Sequence, residues 1–121
     1  MDTKSDIVKD KSFQFANRII KLYMYLSIDK NAYVLSKQLL RSGNAVGALV
    51  RESKNAESKP DFIHKLGIAQ KECDETMYWL ELLNQNKFID KKQFDSIYKD
   101  AAELFKIIRS SILTAKKSIR K

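Results

Sequence analysis

The residues able to do chemistry are few, and their spacing limits what they can do. Four carboxylates, Glu72, Asp74, Glu75 and Glu81, lie close together along one stretch. Such a group is the raw material of a di-metal bundle, but that architecture also needs Glu-x-x-His motifs on two helices. The only histidine, His64, has no glutamate three residues ahead of it. It sits beside Lys65 and reads as a solvated side chain. The only cysteine, Cys73, rules out an intrachain disulfide, and its place in an apolar seam makes it a small buried residue rather than a reactive thiol. No nucleophile with a base and no metal-ligand set is present. The expectation is a non-enzymatic protein with no metal, no cofactor and no small-molecule substrate.

The other chemistry on offer is charge. The chain carries 23 basic and 15 acidic side chains for a formal net charge of +8, unevenly spread. Residues 61–100 are net acidic, whereas residues 101–121 hold six basic side chains against Glu103 alone. Lys106, Arg109, Lys116, Lys117 and Arg120 are therefore the candidate nucleic-acid contacts, expected to meet phosphates without reading bases. The competing reading is a structural or adaptor oligomer that binds another protein, with the charge serving solubility.

These residues must be positioned by long, few elements. With 121 residues, 44% hydrophobic and 31% charged, the chain has the size and composition of one folded domain. Three glycines and one proline leave little material for turns. The expected fold is all-α, an antiparallel up-down-up-down four-helix bundle spanning residues 1–121, with helices at about 12–27, 32–56, 60–85 and 90–118. Residues 1–11 read as an N-terminal arm that docks by Ile7 and Val8, or else frays. Ser12 caps the first helix, whose inner side is expected to carry Phe13, Ala16, Ile19, Ile20, Tyr23 and Leu26. Its aromatic density exceeds the need of one stripe, which leaves rings for a neighbouring subunit or for the bundle's edge. No signal-peptide core or membrane-length apolar run is present, and a cytoplasmic protein that does not enter the membrane is expected.

The bundle is organised by the second and third helices. Leu35, Leu39, Ser42, Gly43, Val46, Leu49 and Val50 share a stripe on the second. Each glycine costs about 1 kcal/mol relative to alanine inside a helix. Gly43 and Gly47 therefore read as a close-packing strip against which the neighbouring helix presses. The third helix repeats Phe62, Leu66, Ala69, Cys73, Thr76, Leu80 and Leu83 at alternating intervals of four and three, a heptad seam. Ser58 and Asp61 form a capping box ahead of it, with Pro60 in the first turn. A tight turn near Glu57 and Ser58 makes the two helices antiparallel, so residues whose numbers add to about 115 lie side by side. Arg41 should then pair with Asp74 or Glu75 across a buried interface and set the register. In the fourth helix, Phe94, Ile97, Tyr98, Ala101, Leu104, Phe105, Ile108, Ile112 and Ala115 face the core, capped by Asp90.

Several runs in this framework occur together. Gln38-Leu39-Leu40-Arg41-Ser42, Val46-Gly47-Ala48, Glu52, Asp61-Phe62, Lys65-Leu66, Ile68-Ala69, Lys71-Glu72, Glu75-Thr76 and Tyr78-Trp79-Leu80 resemble the pattern of the 23S rRNA-intervening sequence protein family. Lys11-Ser12-Phe13, Phe15-Ala16 and Ile19-Ile20-Lys21-Leu22-Tyr23 extend the resemblance through the first helix. It implies an antiparallel four-helix bundle that forms homo-oligomers, notably pentameric rings, and a link to ribosomal RNA in the family's name. The chain departs from the pattern at Ala45 and Leu49, where serine and asparagine are usual, so any polar role of those positions does not carry over.

Overall fold

In a computed structural model, which describes residues 3–119, the chain forms four helices: α1 (Thr3–Ile28), α2 (Tyr33–Ser53), α3 (Lys59–Gln85) and α4 (Lys91–Ile119). Consecutive helices pack antiparallel, and α1 also packs on α4, which closes the square of an all-α up-down-up-down bundle. The described residues contain no strand.

The helix ends show why the sequence stops and restarts where it does. Asn31 takes a positive φ of 54° after α1, a conformation asparagine tolerates, and the Ala32 N–H donates back to the Leu26 carbonyl at 2.9 Å. At the start of α3 the Ser58 hydroxyl accepts from the Asp61 N–H, and the Asp61 carboxylate accepts from the Glu57 N–H, each at 3.2 Å. Asp90 and Gln93 make a reciprocal box at the start of α4, with distances of 2.7 and 2.9 Å. Lys87 closes α3 with a φ of 65°, while the Phe88 N–H reaches the Leu83 carbonyl and the Lys87 N–H the Asn84 carbonyl. That pair of bonds is a Schellman motif with lysine where glycine is usual.

The α3 seam is buried from Leu66 to Leu83, and Ile97, Ala101, Leu104, Ile108, Ile112 and Ala115 bury the matching stripe of α4. The first helix differs from expectation in two ways. It begins at Thr3, so the part of the 1–11 arm that the structure describes is helix, and Ser12 lies inside it with its hydroxyl donated to the Lys9 carbonyl. Its buried positions are Val8, Ser12, Phe15, Ile19 and Leu26, with Leu22 packed against them, whereas Phe13 is 60% exposed and Ile20 lies outside too. Val8 extends the seam by a turn. Ile19 and Leu26 are buried as expected, but the stripe as a whole is rotated by about 70° from the expected one. The α2 helix ends at Ser53, three residues early, because Lys54, Asn55 and Ala56 bond three residues back rather than four.

The small strip on α2 serves a different neighbour from the heptad helix. A Cβ at Gly43 would come within 2.8 Å of both Cγ atoms of Ile19, and one at Gly47 within 3.3 Å of the Ser12 carbonyl oxygen. Both contacts belong to α1. Against α3 the same helix presents Ser42, whose hydroxyl meets that of Thr76 at 2.9 Å inside the core.

Candidate nucleic-acid interface

The α2–α3 register is visible in its polar contacts. Arg41 lies between Glu72, at 2.9 Å, and Glu75, which also accepts from the Trp79 indole N–H at 3.0 Å. Glu72 and Glu75 are one turn apart on one face, whereas Asp74 is rotated away and exposed, so it takes no part. The Arg41 side chain is 51% exposed, so the contact is a half-wet clamp rather than a buried pair. Lys65 and Glu52, at 3.3 Å, add a second tie between these helices.

Most of the carboxylates singled out in the sequence are thus occupied in holding helices together. Tyr98 donates to Glu81 at 2.9 Å, and burial first, then this bond, raises the phenol above its usual range. Cys73 packs in the seam with its thiol directed at the Ala101 carbonyl, and burial pushes it up to about 12. His64 is exposed. No three His, Cys, Asp or Glu side chains among the described residues gather as a metal would need. Likewise no described helix is long and apolar enough to cross a membrane.

Charge is arranged differently. Four cations of the first three helices are compensated: Lys11 by Glu103 and Arg18 by Asp100, each at 2.6 Å, and Arg41 and Lys65 as above. Lys106, Arg109, Lys116 and Lys117 are exposed and have no ion pair or hydrogen-bond partner among the described residues. At about 100° per residue, all four fall within one arc of roughly 100° on α4, turned well away from the stripe that carries Leu104, Ile108 and Ala115. From Lys106 to Lys117 the row runs about 16 Å. Leu113, also exposed, lies in the middle of it. Arg120 lies outside the described residues.

The row continues onto a neighbouring element that the sequence alone does not connect to it. Antiparallel packing brings the turn between α2 and α3 to the end of α4, where the Lys59 ammonium donates to the Ser118 hydroxyl at 2.6 Å. Lys54 and Lys59 therefore lie at the same end of the bundle as Lys116 and Lys117. The only sequence signal for them was the excess of basic over acidic residues between 31 and 60.

On the opposite side, Phe13, Ile20 and Met24 of α1 are all exposed and lie within about 40° of one another around the helix. This is the two-sided apolar character that hid the true core face of α1.

Comparison with known proteins agrees with this architecture. The sequence pattern of the 23S rRNA-intervening sequence protein family matches residues 4–110. A crystal structure of a protein with unknown function from the S23 ribosomal protein family of Bacteroides thetaiotaomicron superposes with a TM-score of 0.90. The two are 48% identical over 91% of this chain and 98% of that one. No curated protein matches the chain.

Proposed function

This chain belongs to the 23S rRNA-intervening sequence protein family, and from that premise we propose that it is a non-enzymatic homo-oligomer that binds RNA by its phosphates through the α4 row. The observation that carries this reading is the set of four uncompensated cations gathered within one arc of α4, with no carboxylate among the described residues paired to any of them. Three of the four are lysines, point charges spaced along a helix, which suits a polyanion met by charge and favours binding without sequence preference. A non-catalytic role is supported by the use of Glu72, Glu75, Glu81 and Cys73 as packing and pairing groups.

The exposed α1 stripe of Phe13, Ile20 and Met24 supports assembly with further copies of the chain, and the family resemblance favours a pentamer. A ring would multiply a weak patch, because each later contact is made at a high effective concentration. The same stripe also favours the second reading, an adaptor that binds a different protein and no nucleic acid.

Gel mobility shift with single-stranded RNA, titrated in salt, separates the two. The proposal expects log K to fall against log salt with a slope of about −3 for each protomer engaged, from four phosphates at about −0.7 each. Light scattering expects a particle several times the mass of one chain, reduced by Phe13→Asp with Met24→Asp. Absence of RNA binding at low salt would favour the adaptor, and a monomer at micromolar concentration would remove the ring.

A further inference from the structure

We propose that the cavity at the basic end of the bundle binds a free acyl carboxylate, an unbranched apolar chain of about ten carbons with one negative head. The cavity, about 410 Å³, opens where the start of α1, the end of α2, the start of α3 and the end of α4 meet. Its inner wall is apolar, built from Val8, Val50, Phe62, Leu66 and Ala115. At about 30 Å³ for a water-sized group, that volume admits roughly a ten-carbon chain with room left at the mouth.

The polar atoms around it decide what the occupant must look like. Ser53, Ser111 and Thr114 line the wall, but each donates its hydroxyl proton to a carbonyl of its own helix, Val50, Ile107 and Ser110, at 2.6, 3.0 and 3.0 Å. They present the cavity with methylene or methyl groups and acceptor oxygens. A group that only accepts, such as a phosphate pushed inward, would find few donors there. The donors stand at the rim instead. Lys59 gives one proton to Ser118 and keeps two more for a ligand, and the positive charge of Lys54 stands at the same mouth. An apolar interior with cations at its lip is complementary to a chain that ends in a carboxylate, head outward at Lys59 and tail against Phe62 and Leu66. The site shares Lys54 and Lys59 with the basic end of the bundle, but its apolar interior belongs to it alone and its occupancy does not depend on RNA binding.

Isothermal titration of the full chain with sodium decanoate, below its micelle concentration, tests this. The expected result is saturable binding of one decanoate per chain. Decan-1-ol and the Lys59→Glu variant should each bind at least ten-fold more weakly, and butyrate should give no measurable heat. Ala115→Leu, which fills the inner wall, should abolish binding with its thermal transition retained. Lys59→Glu alters an exposed side chain whose one bond among the described residues is to the exposed Ser118, and it keeps the test decisive if Ala115→Leu does not fold. The proposal is overturned by no binding of decanoate, by butyrate binding as tightly as decanoate, by Lys59→Glu binding unchanged, or by binding only to phosphatidylglycerol vesicles.

Discussion

The three glycines have three different local surroundings, and the contrast makes them a sensitive probe of the fold. At Gly43 an added methyl meets the branched carbons of Ile19, which is fully buried and has nowhere to retreat. Gly43→Ala should lower unfolding stability by about 2 kcal/mol, since overpacking outweighs the gain in helix propensity. At Gly47 the nearest atom is the Ser12 carbonyl oxygen at 3.3 Å, a contact tight enough to cancel most of the propensity gain, so a change of under about 1 kcal/mol is expected. Gly67 has nothing within 4 Å in mid-helix, and Gly67→Ala should stabilise by about 0.5–1 kcal/mol. Urea unfolding of the three variants measures the order. Cys73 supplies a pH effect of known sign. Its thiol titrates at about 12 in the fold against an ordinary 9.0, so its contribution is intact below pH 9 and falls as pH rises towards 12. The loss has a limiting slope of about 1.4 kcal/mol per pH unit, and Cys73→Ala should remove that part of the alkaline decline in stability.

Among the elements, α3 was legible because its signals are all local. The seam from Phe62 to Leu83, the Ser58 and Asp61 box and Pro60 fall in consecutive turns, and each acts within its own helix. Its pairing with α2 followed from the shortness of the turn: Arg41 with Glu75, Ser42 with Thr76 and Glu52 with Lys65 all have numbers adding to between about 116 and 118, near the expected 115. The α1 helix was harder. It offers two apolar faces about 140° apart, Phe13–Ile20–Met24 and Val8–Phe15–Ile19–Leu26. The choice rests on a partner surface, α2, where Gly43 accepts Ile19 and Gly47 the backbone at Ser12. The closing turn of α3 gives this scale its prediction. Lys87 holds a left-handed φ of 65° that costs a side-chain-bearing residue about 1 kcal/mol, in a Schellman motif that otherwise needs only backbone. Lys87→Gly should stabilise by about 0.5–1 kcal/mol and raise the thermal midpoint, because the side chain is exposed and makes no contact whose loss would offset the gain.

For the whole molecule, the antiparallel square gathers the end of α4 and the α2–α3 turn, and charge that is scattered in sequence becomes one basic end. Replacing Lys106, Arg109, Lys116 and Lys117 together by glutamine should flatten the salt dependence of RNA binding by about three units of slope per protomer engaged, while leaving the fold untouched, as circular dichroism would show. These side chains are solvated and unpaired, so their removal costs the bundle little. Phe13 and Met24 belong to the opposite side, and their replacement should change assembly mass first and RNA affinity only through avidity.

The sequence by itself determined the four-helix class, the extent of α3 and α4, the antiparallel pairing of α2 with α3 and the basic character of α4, because periodicity, caps and charge runs are written in neighbouring residues. Only the tertiary structure decided which face of α1 is core, that Gly43 and Gly47 serve α1 rather than α3, that Glu72 and Glu75 rather than Asp74 hold Arg41, and that Lys59 stands beside Ser118 above an apolar cavity. Each of these depends on which surfaces meet across the bundle, and two helices distant in sequence carry no local signal of their contact.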